Sequence, residues 1–226
     1  ANKVWAGGVT GGLWFNNNIH NVNSGWLKVN DFWDNISVTA IAFDPNNGNT
    51  MYVGTGEGWG TGSGIGGGIW KSTNGGSSFT LLTSTTSSGT KMSYINDLVV
   101  RNEGGSSVVY AAVSRMSYRG TFHGVQGLYR STNGGTAWTQ VLPNVPSTSI
   151  AYAPADIEID AGNRIWIGTR RNSFLAGGGT VLFSDNGTTW TTSTTRTGGR
   201  RVELACAPNN QNRVYGMVSG ISGSSE

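Results

Sequence analysis

The side chains of this sequence that could do chemistry lie in its longer glycine- and serine-rich stretches, between short apolar segments. Acids and tryptophan come first along the chain, and arginine, tyrosine and histidine follow. The candidate ligand-binding residues are Trp33, Asp34, Glu57, Trp59, Arg115, Tyr118, Arg119, His123, Arg170 and Arg171. Asp31, Phe32 and Phe174 lie in the same stretches, and Arg200 and Arg201 lie in a later one. Aromatic rings stack on sugars or peptide side chains, and arginines hold carboxylate or sulfate groups through paired hydrogen bonds. The pattern favours a surface that binds a glycan or a protein.

Two other functions are compatible with the same residues. A glycoside hydrolase normally needs two carboxyl groups about 5–10 Å apart across the scissile bond, and Asp34 and Glu57 could form such a pair. No residue is assigned a catalytic role, because the sequence does not fix the geometry of this pair. The third interpretation is a structural spacer or assembly scaffold, for which we expect neither turnover nor saturable binding.

Composition excludes several classes of partner. The net charge is +3 and no run of Lys or Arg exceeds two residues, which does not predict nucleic-acid binding. No apolar run approaches the 18 or so residues of a membrane span, so we expect no membrane insertion. His123 has no ligand-type neighbours, and the run Gly54–Gly68 lacks the Lys-Ser/Thr and helix of a phosphate-binding loop. We therefore expect no metal and no cofactor.

The thiol content and low charge favour an extracellular protein. Cys206 is the single cysteine, which excludes an internal disulfide framework. Charged residues make up 12% of the chain, and glycine accounts for 36 residues of 226. We expect a secreted or cell-surface location, and we expect this sequence to be part of a larger multidomain chain.

Short β-branched and aromatic segments return along the chain in groups of four. The clearest group is Val38–Phe43, Thr50–Gly54, Gly68–Lys71 and Ser78–Leu82, each bounded by turn residues. The aligned apolar positions Trp14, Trp70, Tyr129 and Leu182 recur at roughly 55-residue intervals. No window shows a capped helical period, so the pattern predicts an all-β protein without helices.

Four short strands per repeat predict the blades of a β-propeller. The repeats place a partial blade at 1–30, whole blades at 36–83, 92–142 and 154–195, and a partial blade at 200–220. We expect four to five antiparallel blades that form an arc of a larger, seven-bladed type of ring. Loops between the second and third strands, and between blades, emerge on one face and carry the candidate residues listed first.

A repeated phrase links the third and fourth segments of each group. Its structural positions are Ser72, Asn74, Gly76 and Phe79; Ser131, Asn133, Gly135 and Trp138; and Asp185, Gly187 and Trp190, where Phe183 takes the place of the serine. An Asx side chain can accept hydrogen bonds from N–H groups of its own turn, and glycine adopts a positive φ at little steric cost. The phrase therefore predicts a hairpin turn that stabilises the fold.

The phrase resembles the Asp box, or BNR repeat, of sialidase- and sortilin-like β-propellers, a group that includes xyloglucan-cleaving hydrolases and photosystem assembly propellers. The resemblance implies that the turns lie on the face away from any active site. It also implies a sialidase-like or xyloglucanase-like activity if the chain is an enzyme. The phrases Ala6–Trp14 and Val53–Gly58 are similar to secreted bacterial surface proteins that carry a C-terminal sorting domain.

Overall fold

The computed structural model of the chain describes residues 2–29, 37–59, 64–210 and 213–220. The described residues form nineteen strands, all paired antiparallel. One short helix, the 3-10 turn Thr83–Thr85, occurs among these described residues. The prediction of no helix is wrong at this turn, where the hydroxyl of Thr85 accepts a hydrogen bond from the N–H of Ile69 at 3.1 Å and donates one to the carbonyl of Leu82 at 2.7 Å.

The first two sheets follow each other along the chain. Sheet one contains β1 (Val4–Gly8), β2 (Gly12–Asn16) and β3 (Leu27–Lys28). Sheet two contains β4 (Val38–Phe43), β5 (Met51–Thr55), β6 (Ile69–Ser72) and β7 (Thr80–Leu81). Both are simple meanders, in which each strand pairs with the next one in sequence.

Sheet three carries an insertion. Its inner strands are β8 (Ile95–Glu103) and β9 (Ser106–Val113). A separate hairpin of β10 (Met116–Tyr118) and β11 (Thr121–His123) follows before the chain returns as β12 (Gly127–Ser131) and β13 (Thr139–Gln140). The sequence predicted an irregular loop in place of this hairpin, which turns through Arg119 and Gly120 at positive φ.

The last two sheets are joined at one point. Sheet four contains β14 (Ala153–Ile159), β15 (Ile165–Arg170), β16 (Thr180–Ser184) and β17 (Thr191–Thr195). Sheet five contains β18 (Arg201–Cys206) and β19 (Val214–Ser219). A single antiparallel pairing of Arg170 with Arg201 connects them.

The sheets are arranged as the blades of a propeller, and sheets one to five are blades one to five. The first strands of successive sheets lie against each other, in the order β4, β8, β14 and β18. A β-bulge occurs near the start of β4, β8 and β14, at the same place in each strand. The described residues therefore form a partial β-propeller, and the predicted fold class is confirmed.

The hydrophobic core lies between blades. Along β9, Val109, Ala111 and Val113 pack toward blade two, whereas Val108 and Tyr110 pack toward blade four. This period of two is the alternation of a strand that is buried on both faces. Since burying a Val or Leu side chain contributes roughly 1.5–3 kcal/mol, the cohesion of the molecule comes chiefly from these contacts between blades.

The first repeated turn is held by side-chain hydrogen bonds and by a ring contact. The hydroxyl of Ser72 accepts a hydrogen bond from the N–H of Gly76 at 2.9 Å and donates one to Asn74 Oδ1 at 2.9 Å. Asn74 Oδ1 also accepts the N–H of Ser78 at 3.0 Å. The ring of Phe79 stands edge-on to Trp5 of blade one, with ring centroids 6.3 Å apart. The turn is thus tied to the preceding blade as well as to its own.

The second turn repeats this geometry. Ser131 Oγ accepts the N–H of Gly135 at 2.9 Å and donates to Asn133 Oδ1 at 2.9 Å, and Asn133 Oδ1 accepts the N–H of Ala137 at 2.9 Å. Gly135 has a φ of +91°, and a Cβ atom there would lie 2.4 Å from a methyl carbon of Leu82 in blade two. The Trp138 indole N–H donates to Ser84 Oγ at 3.2 Å.

The third turn corrects the sequence alignment. Asn186, and not Asp185, is the Asx residue of this turn: its Oδ1 accepts the N–H groups of Thr188 and Thr189 at 2.9 and 2.8 Å. Ser184 Oγ accepts the N–H of Gly187 at 2.8 Å, so Ser184 fills the serine position that the alignment gave to Phe183. This turn has one residue fewer between its serine and its glycine than the other two turns have. Because the sequence alignment matched the glycine and the tryptophan at the end of the phrase, it placed the serine position one residue too early.

Each repeated turn receives a cation from the blade before it. Lys3 donates to the carbonyl of Gly75 at 3.2 Å, Lys71 to that of Gly134 at 3.0 Å, and Arg101 to that of Asp185 at 2.5 Å. The turn glycines Gly76, Gly135 and Gly187 leave no room for a Cβ against Trp5, Leu82 and Tyr110 of those preceding blades. The repeated phrase is therefore a joint between neighbouring blades.

Candidate functional site

The face opposite the repeated turns carries a large open cavity. Because the strands alternate in direction, the described residues between β5 and β6 (56–59 and 64–68), the β10–β11 hairpin and the connections β15–β16 and β17–β18 all emerge there. The cavity has a volume of about 940 Å³. Its described lining residues are Trp59, Arg115, Met116, Ser117, Phe122, Arg170, Arg171, Asn172, Ser173, Leu175, Arg200, Arg201 and Ser219.

Trp59 lies against two guanidinium groups. The Cζ atom of Arg201 is 3.5 Å from the centroid of the indole ring, and that of Arg170 is 4.8 Å from it. A guanidinium within about 6 Å of an indole is attracted by the negative face of the ring. Residues 59, 170 and 201 are far apart in sequence, and the fold brings them together at one wall of the cavity.

Backbone contacts fix the position of this stack. Glu57 Oε1 accepts a hydrogen bond from the N–H of Trp59 at 2.6 Å, and Arg170 Nη1 donates to the carbonyl of Gly58 at 2.6 Å. Arg201 Nε is paired with the Glu203 carboxylate. Glu57 is thus engaged in holding the tryptophan segment, and it is not among the residues that line the cavity.

Positive charge is crowded at this wall. Burial, followed by the nearby charge of Arg201, lowers the pKa of Arg170, and the carboxylate of Glu57 opposes part of that shift. Below the same segment, burial raises the pKa of the Tyr94 phenol, and its neighbours Tyr118 and Glu57 raise it further. The site therefore has a wall rich in cationic groups, close to a buried tyrosine.

The hairpin presents its own aromatic and cationic groups. Arg115 lies over the ring of Phe122 at 5.4 Å, and both residues line the cavity. Arg119 lies over Tyr118 at 5.4 Å, and the rings of Tyr118 and His123 are 6.2 Å apart. The described structure does not place Tyr118, Arg119 or His123 on the cavity wall.

The segment after β15 supplies a residue that the sequence did not single out. Asn172 is only 4% exposed, and its Oδ1 accepts the N–H groups of Phe174 and Ala176 at 2.9 and 3.0 Å. Its Nδ2 is buried without a hydrogen-bond partner. Leu175 follows at a φ of +62° and is 74% exposed. An asparagine next to two arginines carries no sequence signal of burial, so only the fold identifies it.

The carboxylate pair indicated by the sequence, Asp34 and Glu57, lies only partly within the described residues. Trp33 and Asp34 lie outside the described residues, and none of the described residues that line the cavity is Asp or Glu. Two other carboxylates do meet, those of Asp97 and Asp156 at the bulges of β8 and β14. They are used structurally: Asp97 Oδ2 accepts the N–H of Ile157 at 2.9 Å, and Asp156 Oδ2 accepts that of Leu204 at 2.6 Å.

The described residues show neither a metal site nor a membrane-spanning helix. They contain no cluster of three or more His, Cys, Asp or Glu side chains placed to hold a metal ion. None of their helices is long and apolar enough to cross a membrane.

Comparison with known proteins identifies the architecture. No protein-family model matches the chain. A xyloglucanase from Paenibacillus sp is 29% identical over 140 residues, which cover 56% of this chain and 12% of that protein. The crystal structure of an ancestral GH74 enzyme superimposes with a TM-score of 0.57 at 18% identity, covering 96% of this chain and 31% of the other. YCF48 bound to D1 peptide gives a TM-score of 0.57 at 13% identity, covering 95% and 56%.

These likenesses show the fold. The chain spans less than two thirds of the length of each of these three proteins. Their shared feature with this chain is the β-propeller, since structural similarity at such low identity carries architecture but not activity.

Proposed function

We propose that this propeller is a carbohydrate-binding module that holds an extracellular glycan on its loop face without cleaving it. The observation that carries the proposal is the cavity wall at which the guanidinium groups of Arg170 and Arg201 lie against Trp59, with Phe122 and Arg115 also lining the cavity. Aromatic rings supply stacking surfaces for sugar rings, and guanidinium groups supply several directed N–H donors.

The position of the wall supports binding over a purely structural role. A scaffold needs only the joints between blades, which lie on the opposite face. Here Trp59 is half-buried at the edge of an open cavity, and its segment is held by Glu57 and Arg170. A ring held in place before its ligand arrives reduces the entropy lost on binding.

The setting of the module is part of the same proposal. The low charge and single cysteine of the sequence support a secreted or cell-surface protein, of which this propeller is one part. The three serine–Asx–glycine turns support its assignment to the Asp-box group of propellers.

Affinity gel electrophoresis of the whole chain tests the function. Migration through gels that contain neutral or acidic polysaccharides should be retarded by at least one polymer, and Trp59→Ala should abolish the retardation. Trp26→Ala removes a half-exposed tryptophan of blade one and should leave binding unchanged. Equal retardation of Trp59→Ala and the unchanged protein would rule out the proposed surface.

A second candidate, glycoside hydrolysis, is supported by the similarity to the Paenibacillus xyloglucanase. It would use Glu57 with Asp34 as its partner carboxyl, the pair indicated by the sequence. The release of reducing ends from xyloglucan distinguishes the two functions. Turnover that is lost in Glu57→Gln would replace the binding proposal, whereas binding without turnover supports it.

A further inference from the structure

Five arginines from three segments line the cavity beside Trp59. Arg115 precedes the hairpin, Arg170 ends β15 and Arg171 follows it, and Arg200 precedes Arg201 at the start of β18. None of the described lining residues is acidic. A wall with this many guanidinium groups and no carboxylate of its own suits an anion.

Most of the donors on this wall are not used within the described part of the chain. Arg170 and Arg171 each donate to one backbone carbonyl, that of Gly58 and that of Gly198. Arg201 alone has a carboxylate partner, Glu203, among the described residues. Since a guanidinium carries five N–H donors, several remain available to a ligand.

Asn172 adds a neutral donor to the same wall. Its oxygen is fixed by two backbone N–H groups, so its side-chain nitrogen is left buried without an acceptor. An unsatisfied buried donor lowers the stability of the free protein, and a native one calls for an explanation. A ligand oxygen that enters between Asn172 and its neighbouring arginines would provide the acceptor.

The charges at this wall also favour an anion. Arg170 is partly desolvated and its backbone pairs with that of Arg201, so two like charges lie against one indole ring. A negative ligand group would offset their mutual repulsion, whereas a neutral sugar would not. The positive charge of the site therefore favours an acidic glycan over a neutral one.

On the basis of the proposed glycan-binding function, we infer that the ligand is an acidic polysaccharide whose sugars carry carboxylate or sulfate groups. The anionic group is held by Arg170, Arg201 and Arg115, and the adjoining sugar ring lies on Trp59. The proposed ligand class therefore differs from a neutral polymer such as xyloglucan.

The test compares one polymer with and without its charge. Binding of the whole chain to polygalacturonate and to its methyl ester is measured by titration calorimetry at about 0.05 M and about 0.5 M NaCl. We expect the acid form to bind and the ester to bind at least about ten-fold more weakly, with affinity for the acid form falling as salt rises. Dextran sulfate distinguishes the anion: tighter binding to it than to polygalacturonate supports the inference with sulfate as the group.

Single substitutions locate the site. Arg201→Gln and Arg115→Gln should each weaken binding of the acid form by about ten-fold or more, because each removes a charge-assisted contact. Arg115 is exposed on the hairpin, so its replacement tests the inference even if Arg201→Gln unfolds. Arg164→Gln is the matched control, because Arg164 lies at the opposite end of β15 and pairs with Asp185.

The remaining outcomes separate the two proposals. Equal, salt-independent affinity for the acid polymer and its ester would overturn the acidic ligand and leave glycan binding intact. Binding of poly-glutamate with no binding of any polysaccharide would overturn both, and assign the surface to an acidic protein. Unchanged affinity in both arginine variants would overturn the site.

Discussion

At the scale of single residues, several carboxylates of the molecule bind groups of the protein itself. Glu57 orders the segment of Trp59, Glu203 pairs with Arg201, and Asp97 and Asp156 each accept an N–H group from the next blade. The sequence indicated Glu57 and Trp59 as neighbours in one loop. It could not indicate that Arg170 and Arg201 would stack on that tryptophan, because the contact depends on the packing of three blades.

Asp97 makes the stability of the fold depend on pH. Burial, with the charge of Asp156 adding to it, raises the pKa of Asp97 to about 8 from its ordinary value of 3.8. A raised pKa means that the folded state retains a proton that the unfolded chain releases. The contribution of this group is therefore fully present below about pH 4 and is lost as the pH rises through about 8.

Replacing Asp97 should flatten this dependence. In Asp97→Asn the free energy of unfolding should change less between pH 6 and pH 8 than in the unchanged chain, although its value falls because an amide nitrogen cannot accept an N–H group. Urea denaturation at several pH values measures both effects. Asp160→Asn, in the turn between β14 and β15, serves as the control and should retain the slope. An undiminished slope in Asp97→Asn would show that other groups cause it.

At the scale of elements, the turns show what sequence patterns can and cannot specify. A repeated phrase with an Asx residue and a glycine predicted three hairpin turns, and the side-chain hydrogen bonds follow from those residue types. The third turn was placed one residue out of register, because its shorter spacing allowed Asp185 to occupy the Asx position in the alignment. The β10–β11 hairpin was missed, since its turn uses Arg119 at a positive φ instead of a typical turn residue.

The corrected register can be tested by two neighbouring substitutions. Asn186→Ala removes the acceptor of two backbone N–H groups and should lower the free energy of unfolding by roughly 1–2 kcal/mol. Asp185→Ala removes an exposed pair with Arg164 and should leave stability almost unchanged. Thermal denaturation of the two variants decides the assignment, and the reverse order of stabilities would restore Asp185 as the turn residue.

The joint between blades two and three depends on the absence of a side chain at Gly135. Gly135→Val should destabilise the chain by roughly 1–3 kcal/mol through backbone strain, and its side chain would also press on Leu82. Gly48→Val is the matched control, since no atom lies within 4 Å of a Cβ there. Chemical denaturation provides the measurement, and equal midpoints for the two variants would contradict the joint.

At the scale of the whole molecule, the two faces of the propeller carry different structural features. One face carries the repeated turns and the cations that bind them, which fasten each blade to the one before. The other carries the longer connections, the cavity and the stack of Trp59 with two arginines. The strand repeats were enough to predict the propeller. They were not enough to select the cavity residues, because Tyr118, Arg119 and His123 lie off its wall while Asn172 lies on it.

Hydrogen–deuterium exchange of the whole chain, with and without saturating polygalacturonate, tests directly whether the polymer binds at the cavity. If the polymer binds there, we expect slower exchange in residues 57–59, 115–123, 170–176 and 198–201. We expect unchanged exchange in the turns at 72–78, 131–137 and 184–189. Protection of the turns, or no change at the cavity while the polymer is bound, would contradict the proposed site.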